Sequence, residues 1–229
     1  RGARVRTASG GFRFRDVEQP QPARRDPRAV QGDAARGAGQ SARPGAPPVP
    51  QGEELARVVP LVREAVRFGV PISVDTFKPA VMQAVLDLGA DIINDIRALG
   101  QPGAVEVVSR HPSCGICLMH MHRDPLTMQV LPMQGDVVPS VRTFLSQAAV
   151  RATSAGVAHE RIVLDPGIGF GKSVAQNFSL MARQAELLAE GFPLLVGWSR
   201  KSSLGAVTAS QGVAPEAASR LAASVSAAV

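Results

Sequence analysis

Five polar side chains stand at or just after the end of an apolar segment: Asp75, Asn94, His120, Asp165 and Lys201. Carboxylates and an amide can bind the edge of a heterocycle, and a lysine can bind an anionic group. If the apolar segments are parallel strands, their carboxyl ends lie on one side of a sheet, and the five side chains should converge there. A single Asp or Asn at such a position could instead cap the following helix.

The segments that would position these side chains alternate between strand and helix patterns. Apolar runs predict the strands, and apolar residues at helical spacing followed by glycine predict the helices. We expect Pro60 to bend or interrupt the first helix. Strands that alternate with helices form right-handed crossovers and a parallel sheet. The predicted strands are 70–74, 90–93, 115–119, 161–164 and 193–197, and the predicted helices are 53–68, 79–88, 102–110, 138–155, 174–190 and 214–228.

A glycine-rich loop follows the fourth predicted strand, at residues 165–173, with the sequence DPGIGFGKS. It resembles a phosphate-binding loop but is one residue short of that motif, and its glycine spacing differs from that of the dinucleotide motif. Asp165 before the glycines would repel phosphate, whereas it can accept hydrogen bonds from the N–H groups of a heterocycle. A purely structural turn is the alternative.

Two cations and two hydroxyls follow the fifth predicted strand, in the run Ser199-Arg200-Lys201-Ser202. Because a helix is predicted after them, these groups suit a carboxylate or a diphosphate. A solvated pair of charges is the alternative.

Cys114, Cys117, His120 and His122 have a spacing that suggests a zinc or redox site. Successive side chains of a strand point to opposite faces, so Cys117 and His120 should diverge. A thioredoxin-like site opens a helix, whereas this cysteine pair leads into a strand. We therefore expect neither a metal site nor a redox site here.

The composition is that of a globular domain, with 45% apolar and 19% charged residues. No apolar run reaches the roughly 18 residues of a membrane span, and the two cysteines favour a reducing cytoplasm.

Residues 1–47 hold ten arginines and four acidic residues and so carry the whole net charge of +6. Because this segment lacks periodicity, we expect a disordered leader rather than a nucleic-acid-binding arm. The domain at 48–229 is neutral, and we expect neither nucleic acid nor membrane as its partner.

Together these residues resemble dihydropteroate synthase, a family of the folate pathway. The resemblance implies a (β/α)₈ TIM barrel of the pterin-binding type. It implies condensation of p-aminobenzoate with 6-hydroxymethyl-7,8-dihydropterin diphosphate, with release of diphosphate and with Mg²⁺ as cofactor. It further implies sulfonamides as competitors and a homodimer. The order, spacing and flanking helices fit from about residue 40 to 229, and the matching segments are 73–79, 93–96, 117–121, 165–172 and 199–201.

The same resemblance implies roles for single residues. Asp75, Asn94 and Asp165 would bind the donors and acceptors of the pterin, Met119 would pack on its ring, and Lys201 would lie on it. Lys201 and Asp165 would be the catalytic residues. The chemistry agrees, because a departing diphosphate needs cations and a neutral amine needs no strong base. The residues implied on the aminobenzoate side are Arg43, Phe170, Ser199 and Ser202.

The sequence departs from the family pattern in three places. Nothing matches the first-strand motif, whose asparagine serves Mg²⁺, so no metal ligand is identified. The second-strand motif is reduced to 39–46, where Arg43 remains but Ala42 replaces a threonine. The eighth strand, with its Arg-x-His anion site, is not recognised. We therefore expect an incomplete barrel without strands 1, 2 and 8. We also expect no measurable synthase activity from these 229 residues unless the three strands are restored.

Several alternatives stay open. A reading-frame slip in GC-rich DNA upstream of residue 43 would explain the composition of the leader, and a divergent leader would also explain it. A catalytically dead barrel fragment or a pterin-binding methyltransferase domain would share the strand-end Asp and Asn residues. The run at 199–201 favours the synthase, because methyl transfer releases no diphosphate.

Overall fold

The structure is a computed structural model, and it describes residues 49–128, 130–198 and 201–209. Four of the sequence predictions lie outside the described residues: the leader at 1–47, Arg43, the pair Ser199 and Arg200, and the helix at 214–228. The other predicted strands and helices fall within the described residues.

Within the described residues, four parallel strands form one sheet, and their order in the sheet is their order in the chain. A helix or a pair of helices follows each strand, as the alternating pattern predicts. The strands are β1 (Ser73–Asp75), β2 (Ile92–Asp95), β3 (Gly115–Met119) and β4 (Ile162–Asp165). The helices are α1 (Gln51–Ala65), α2 (Pro79–Asp87), α3 (Ala104–Arg110), α4 (Val138–Ser154), α5 (Val174–Ala182), α6 (Gln184–Leu188) and α7 (Ser202–Ala209).

The two faces of the sheet have different roles, because successive side chains of a strand alternate between them. One face packs against the helices and supplies the strand residues of the core: Val74, Ile93, Ile116, Leu118, Ile162 and Leu164. The opposite face carries the residues that directly follow these in the strands: Asp75, Asn94, Cys117, Met119 and Asp165. Burial of the first set against the helices fixes which way the second set points.

Two predictions about the helices are wrong in part. Helix α1 runs through Pro60 without interruption to Ala65, and it buries Val58 and Val62 on its inner side. This burial offsets the single backbone hydrogen bond that the proline removes. The helix predicted at 174–190 is two helices, α5 and α6, which are separated at Arg183.

The fifth predicted strand, 193–197, pairs with β4 at one parallel bridge, Leu164 with Leu194. The N–H of Leu164 donates to the carbonyl of Pro193, and the N–H of Leu195 donates back to Leu164, each at 2.9 Å. The segment therefore lies beside β4, as predicted, but its regular pairing is shorter than the apolar run. None of the described helices is long and apolar enough to cross a membrane.

Candidate active site

Asp75 and Asn94 are neighbours across β1 and β2, where their Cα atoms are register partners. The side-chain amide Nδ2 of Asn94 donates to Oδ1 of Asp75 at 2.8 Å. Because an ionised carboxylate can only accept hydrogen bonds, the Asn94 amide must turn its nitrogen toward Asp75. Oδ1 of Asn94 is buried and has no partner among the described residues. The pair thus presents acceptor atoms where a bound molecule could supply N–H groups.

Met119 and Asp165 are register partners across β3 and β4 and lie on the same face as Asp75 and Asn94. Both are buried, and Oδ1 of Asp165 accepts from the N–H of Gly167 at 2.7 Å. Burial raises the pKa of Asp165 to about 6, although the Gly167 N–H and the charges of two lysines act in the opposite direction. A ligand that donates hydrogen bonds to this buried carboxylate would therefore stabilise its ionised form.

The glycine-rich loop bends three times through left-handed backbone, at Gly167, Gly169 and Gly171. Gly167 has a φ of +67°, and a Cβ atom there would lie 1.8 Å from the carbonyl oxygen of His120. No side chain fits in that space, so the loop packs backbone against backbone beside the end of β3. The loop can therefore be a structural turn and also part of a binding site, since the same bends position Asp165 and Phe170.

Lys172 is a buried residue to which the sequence analysis gives no role. Its ammonium group donates to the carbonyl oxygens of Gly167 at 2.9 Å, of Phe170 at 3.1 Å and of His120 at 3.4 Å. Burial lowers its pKa to about 7, and the charge of Asp165 opposes that shift. The lysine thus joins the two halves of the loop to the end of β3. Its partners are backbone atoms, which no sequence motif reveals.

Lys201 and Phe170 bring the second loop, which precedes α7, into contact with the glycine-rich loop. The Nζ atom of Lys201 lies 4.3 Å from the centroid of the Phe170 ring. Burial lowers the pKa of Lys201, and Asp165 acts in the opposite direction. Ser202 is exposed at the start of α7. The structure therefore brings Phe170, Lys201 and Asp165 together.

His120 does not join the other polar residues, so the prediction that five side chains converge is wrong at this position. Its ring packs edge to face on Phe144 of α4, with centroids 4.9 Å apart. His120 follows Met119 in the strand alternation and so points to the helix side. Burial lowers its pKa to about 3, which keeps the ring neutral. Only its backbone serves the site, because its N–H donates to the carbonyl of Asp165 at 2.9 Å.

Glu54, a buried residue that no sequence pattern indicates, supports the loop after β1. Glu54 of α1 accepts from the hydroxyl of Thr76 at 2.7 Å and from Nζ of Lys78 at 2.5 Å. Lys78 also donates to the carbonyl of Val49. The pairing joins residues 22 to 29 positions apart, so no local spacing indicates it. It holds the backbone directly after Asp75.

The two cysteines occupy different surroundings. Cys114 lies before β3, where its Sγ is 3.2 Å from a guanidinium nitrogen of buried Arg161. Cys117 lies on the same face as Met119, and burial together with nearby carboxylates raises its pKa well above the usual value. Burial also raises the pKa of Cys114, although Arg161 acts in the opposite direction, so both thiols are poor nucleophiles.

The grouped residues have a defined chemical capacity. Asp75, Asn94 and Asp165 offer acceptors along one edge, and Met119 offers an apolar side chain between them. Lys201 adds a cation next to the Phe170 ring. This arrangement suits a planar heterocycle that carries N–H donors and lies next to an anionic group.

Comparisons with known proteins agree with this geometry. The model of the pterin binding enzyme family matches residues 38–229. Dihydropteroate synthase of Neisseria meningitidis serogroup B is 49% identical over 174 residues, which are 74% of this chain and 61% of the relative. The chain thus spans about three fifths of that relative's length.

This chain covers a larger share of two solved structures than of the Neisseria relative. Burkholderia cenocepacia dihydropteroate synthase complexed with 7,8-dihydropteroate is 46% identical, with a TM-score of 0.74, over 90% of this chain and 77% of that one. Yersinia pestis dihydropteroate synthase in a sulfonamide drug complex is 40% identical, with a TM-score of 0.77, over 87% and 74% of the two chains. The predicted fold class is thereby confirmed, and the four-stranded parallel sheet is part of such a barrel. The chain belongs to the pterin binding enzyme family, and its relatives within that family are dihydropteroate synthases.

Proposed function

We propose that the chain catalyses the dihydropteroate synthase reaction. This proposal replaces the expectation of inactivity that the three missing strand motifs give, because the side chains expected to bind the pterin share one face of the sheet. It would condense p-aminobenzoate with 6-hydroxymethyl-7,8-dihydropterin diphosphate to give 7,8-dihydropteroate and diphosphate. The observation that carries the proposal is the common face of Asp75, Asn94, Met119 and Asp165 at the carboxyl end of the sheet. This is the end at which parallel β/α barrels carry their chemistry.

The proposed pterin site uses the acceptors described above. Asp165 would accept hydrogen bonds from N–H groups of the pterin, and Oδ1 of Asn94 would gain the partner that it lacks among the described residues. Asp75 would keep the Asn94 amide in the correct orientation. Met119, buried at the end of β3, would pack on the flat ring.

The bond-making step needs little acid–base chemistry. The neutral amine of p-aminobenzoate attacks the methylene carbon of the pterin, a C–N bond forms, and the C–O bond to diphosphate breaks. The diphosphate leaves with the bonding electrons, and the amine nitrogen loses one proton to water. Lys201 would lie at the junction of the two substrates and stabilise the developing negative charge. Phe170, which contacts Lys201, would line the aminobenzoate side together with Ser202 and with Arg43 and Ser199, which lie outside the described residues.

Two relatives support this choice of substrates. The Burkholderia enzyme has been solved with the product 7,8-dihydropteroate, and the Yersinia enzyme has been solved with a sulfonamide drug. A sulfonamide resembles p-aminobenzoate in its aromatic amine and its anionic end. We therefore propose that sulfonamides compete with p-aminobenzoate in this chain as well.

Mg²⁺, a homodimer and a cytoplasmic location stay predictions. Within residues 49–128, 130–198 and 201–209, no three His, Cys, Asp or Glu side chains gather into a group that could hold a metal ion. These residues do not by themselves fit a resident Mg²⁺ site, so no step of the proposed reaction is assigned to the ion. The division at residue 47 into leader and barrel domain also stays a prediction.

The experiment is an assay of the 229-residue chain with both substrates and Mg²⁺ that follows 7,8-dihydropteroate and diphosphate together. The proposal predicts equal amounts of the two products and inhibition by a sulfonamide that p-aminobenzoate relieves. Pterin binding without either product would favour the catalytically dead barrel fragment. Methyl transfer to or from a reduced pterin, without diphosphate release, would favour the methyltransferase alternative.

A further inference from the structure

Asn177 connects the two loops of the proposed site. It lies on α5 and is 1% exposed. Its Oδ1 accepts from the N–H of Gly169 in the glycine-rich loop at 2.9 Å. Its Nδ2 donates to the hydroxyl of Ser203 at 2.9 Å, and Ser203 is 2% exposed on α7. Nδ2 also donates to the carbonyl oxygen of Lys172 at 3.4 Å. One buried amide is therefore bonded twice to the glycine-rich loop and once to α7.

The residues next to Gly169 and Ser203 are the ones assigned to the aminobenzoate side. Gly169 precedes Phe170, and Ser203 follows Lys201 and Ser202. The two loops also touch directly, since Nζ of Lys201 lies 4.3 Å from the Phe170 ring centroid. An added Cβ at Gly169 would lie 3.2 Å from Cδ of Lys201, so the two loops are closely packed at this point.

We propose that Asn177 is a positioning residue that sets the separation of Phe170 and Lys201 through its hydrogen bonds to Gly169 and Ser203. This inference rests on the proposed function, because only then do the two loops enclose p-aminobenzoate. The amide is suited to the task, since it is a donor and an acceptor on one rigid plane. Buried polar groups with satisfied partners hold a single arrangement, whereas loss of one partner leaves the other unpaired.

The substitution that tests the coupling most cleanly is Ser203→Ala. It removes one hydroxyl from α7 and leaves the glycine-rich loop chemically intact. Asn177→Leu removes all three side-chain bonds at once. Ser173→Ala is the matched control, because the Ser173 hydroxyl caps the same helix α5 by accepting from the N–H of Gln176 at 3.2 Å. This hydroxyl has no hydrogen bond to the described residues of the second loop. Loss of this cap lowers stability without breaking the bridge.

Two measurements on the full 229-residue chain are needed. Amide hydrogen exchange reports on residues 166–171 without any ligand, and calorimetry gives the affinity for 7,8-dihydropteroate, which spans both substrate positions. We expect Ser203→Ala to speed exchange in 166–171 several-fold, although the substitution lies on α7, and to weaken dihydropteroate binding about tenfold. Asn177→Leu should speed exchange and weaken binding further. Ser173→Ala should lower the stability of the protein but should affect exchange in 166–171 and dihydropteroate binding much less than Ser203→Ala does.

Unchanged exchange in 166–171 for both Ser203→Ala and Asn177→Leu would overturn the inference, and so would equal effects of Ser203→Ala and Ser173→Ala. If the unsubstituted chain does not bind dihydropteroate, the proposed function fails. The exchange measurement then still decides whether Asn177 couples the two loops, so the two failures are distinguishable.

Discussion

The amide nitrogen of Asn94 lies 2.8 Å from Oδ1 of Asp75, and this one contact orients both side chains. The carboxylate cannot donate, so the amide oxygen is turned away from it and stays buried without a partner among the described residues. A buried acceptor in this state costs free energy until a donor arrives. The site is thus arranged for a ligand with N–H groups before the ligand binds.

Pterin affinity should rise with pH through the titration of Asp165, whose pKa burial raises to about 6. The ionised carboxylate is the stronger acceptor, so affinity increases from pH 5 to 7 and then levels off. Calorimetric titrations with 6-hydroxymethylpterin at intervals of half a pH unit measure this profile. A profile that is flat from pH 5 to 8 would remove Asp165 from the pterin site.

Stability of the empty protein should change in the opposite direction over the same range. Asp165 and Asp95 both have folded-state pKa values raised to about 6 from an ordinary value of 3.8. Such groups favour the folded state while protonated, and their contribution is lost as pH rises from about 4 through about 6. Urea unfolding should therefore show falling stability across this interval. Asp95→Asn should flatten part of the decline, and an unaltered decline would contradict the assignment.

Lys172→Met should lower the free energy of unfolding by about 1–3 kcal/mol, because it leaves three backbone carbonyls without their buried donor. It should also weaken pterin binding, since the loop that carries Gly167 supports Asp165. Arg63→Met, on the exposed side of α1, is the control and should stay within about 0.5 kcal/mol of the unsubstituted chain. Equal stabilities of the two variants in urea would show that Lys172 is dispensable to the loop.

Gly167→Ala should destabilise the protein by more than about 2 kcal/mol, since its Cβ atom would meet the His120 carbonyl in a left-handed backbone conformation. Gly52→Ala is the matched control. It lies in α1 with nothing within 4 Å of an added Cβ, so it should be neutral or slightly stabilising. Thermal unfolding compares the two, and a tolerated Gly167→Ala would mean that the loop has another conformation.

Lys201→Ala should reduce kcat about 10²-fold or more, because it removes the cation assigned to the departing diphosphate. The melting temperature should hardly change, since Lys201 is only half-buried and its ammonium group contacts the Phe170 ring rather than the core. Arg110→Ala removes an exposed charge at the end of α3 and should leave kcat unchanged. A collapse of the melting temperature together with activity would instead make Lys201 a structural residue.

The sequence predicts the ends of the strands well, because two simple patterns coincide there. Apolar runs indicate buried parallel strands, and the first polar residue after each run indicates the carboxyl edge. Asp75, Asn94 and Asp165 lie where this reasoning places them. The side chain of His120 does not lie there. His120 directly follows Met119, and successive side chains of a strand point to opposite faces.

The supporting residues could not be predicted in the same way. Lys172 bonds to backbone carbonyls, and Asn177 bonds to a backbone N–H and to a serine 26 positions away. Their roles depend on how the glycine-rich loop bends in three dimensions. The same holds for Glu54, whose partners lie 22 and 24 positions along the chain.

The proposed pterin site depends most on Asp165, and one calorimetric titration of 6-hydroxymethylpterin tests it directly. The 229-residue chain and its Asp165→Asn variant are compared at pH 7.5, where the carboxylate is ionised. We expect one binding site per chain, with affinity weaker by roughly 2 kcal/mol or more in the variant and with no loss of folded structure. Equal affinity of the two proteins, or no pterin binding by the unsubstituted chain, would contradict the account.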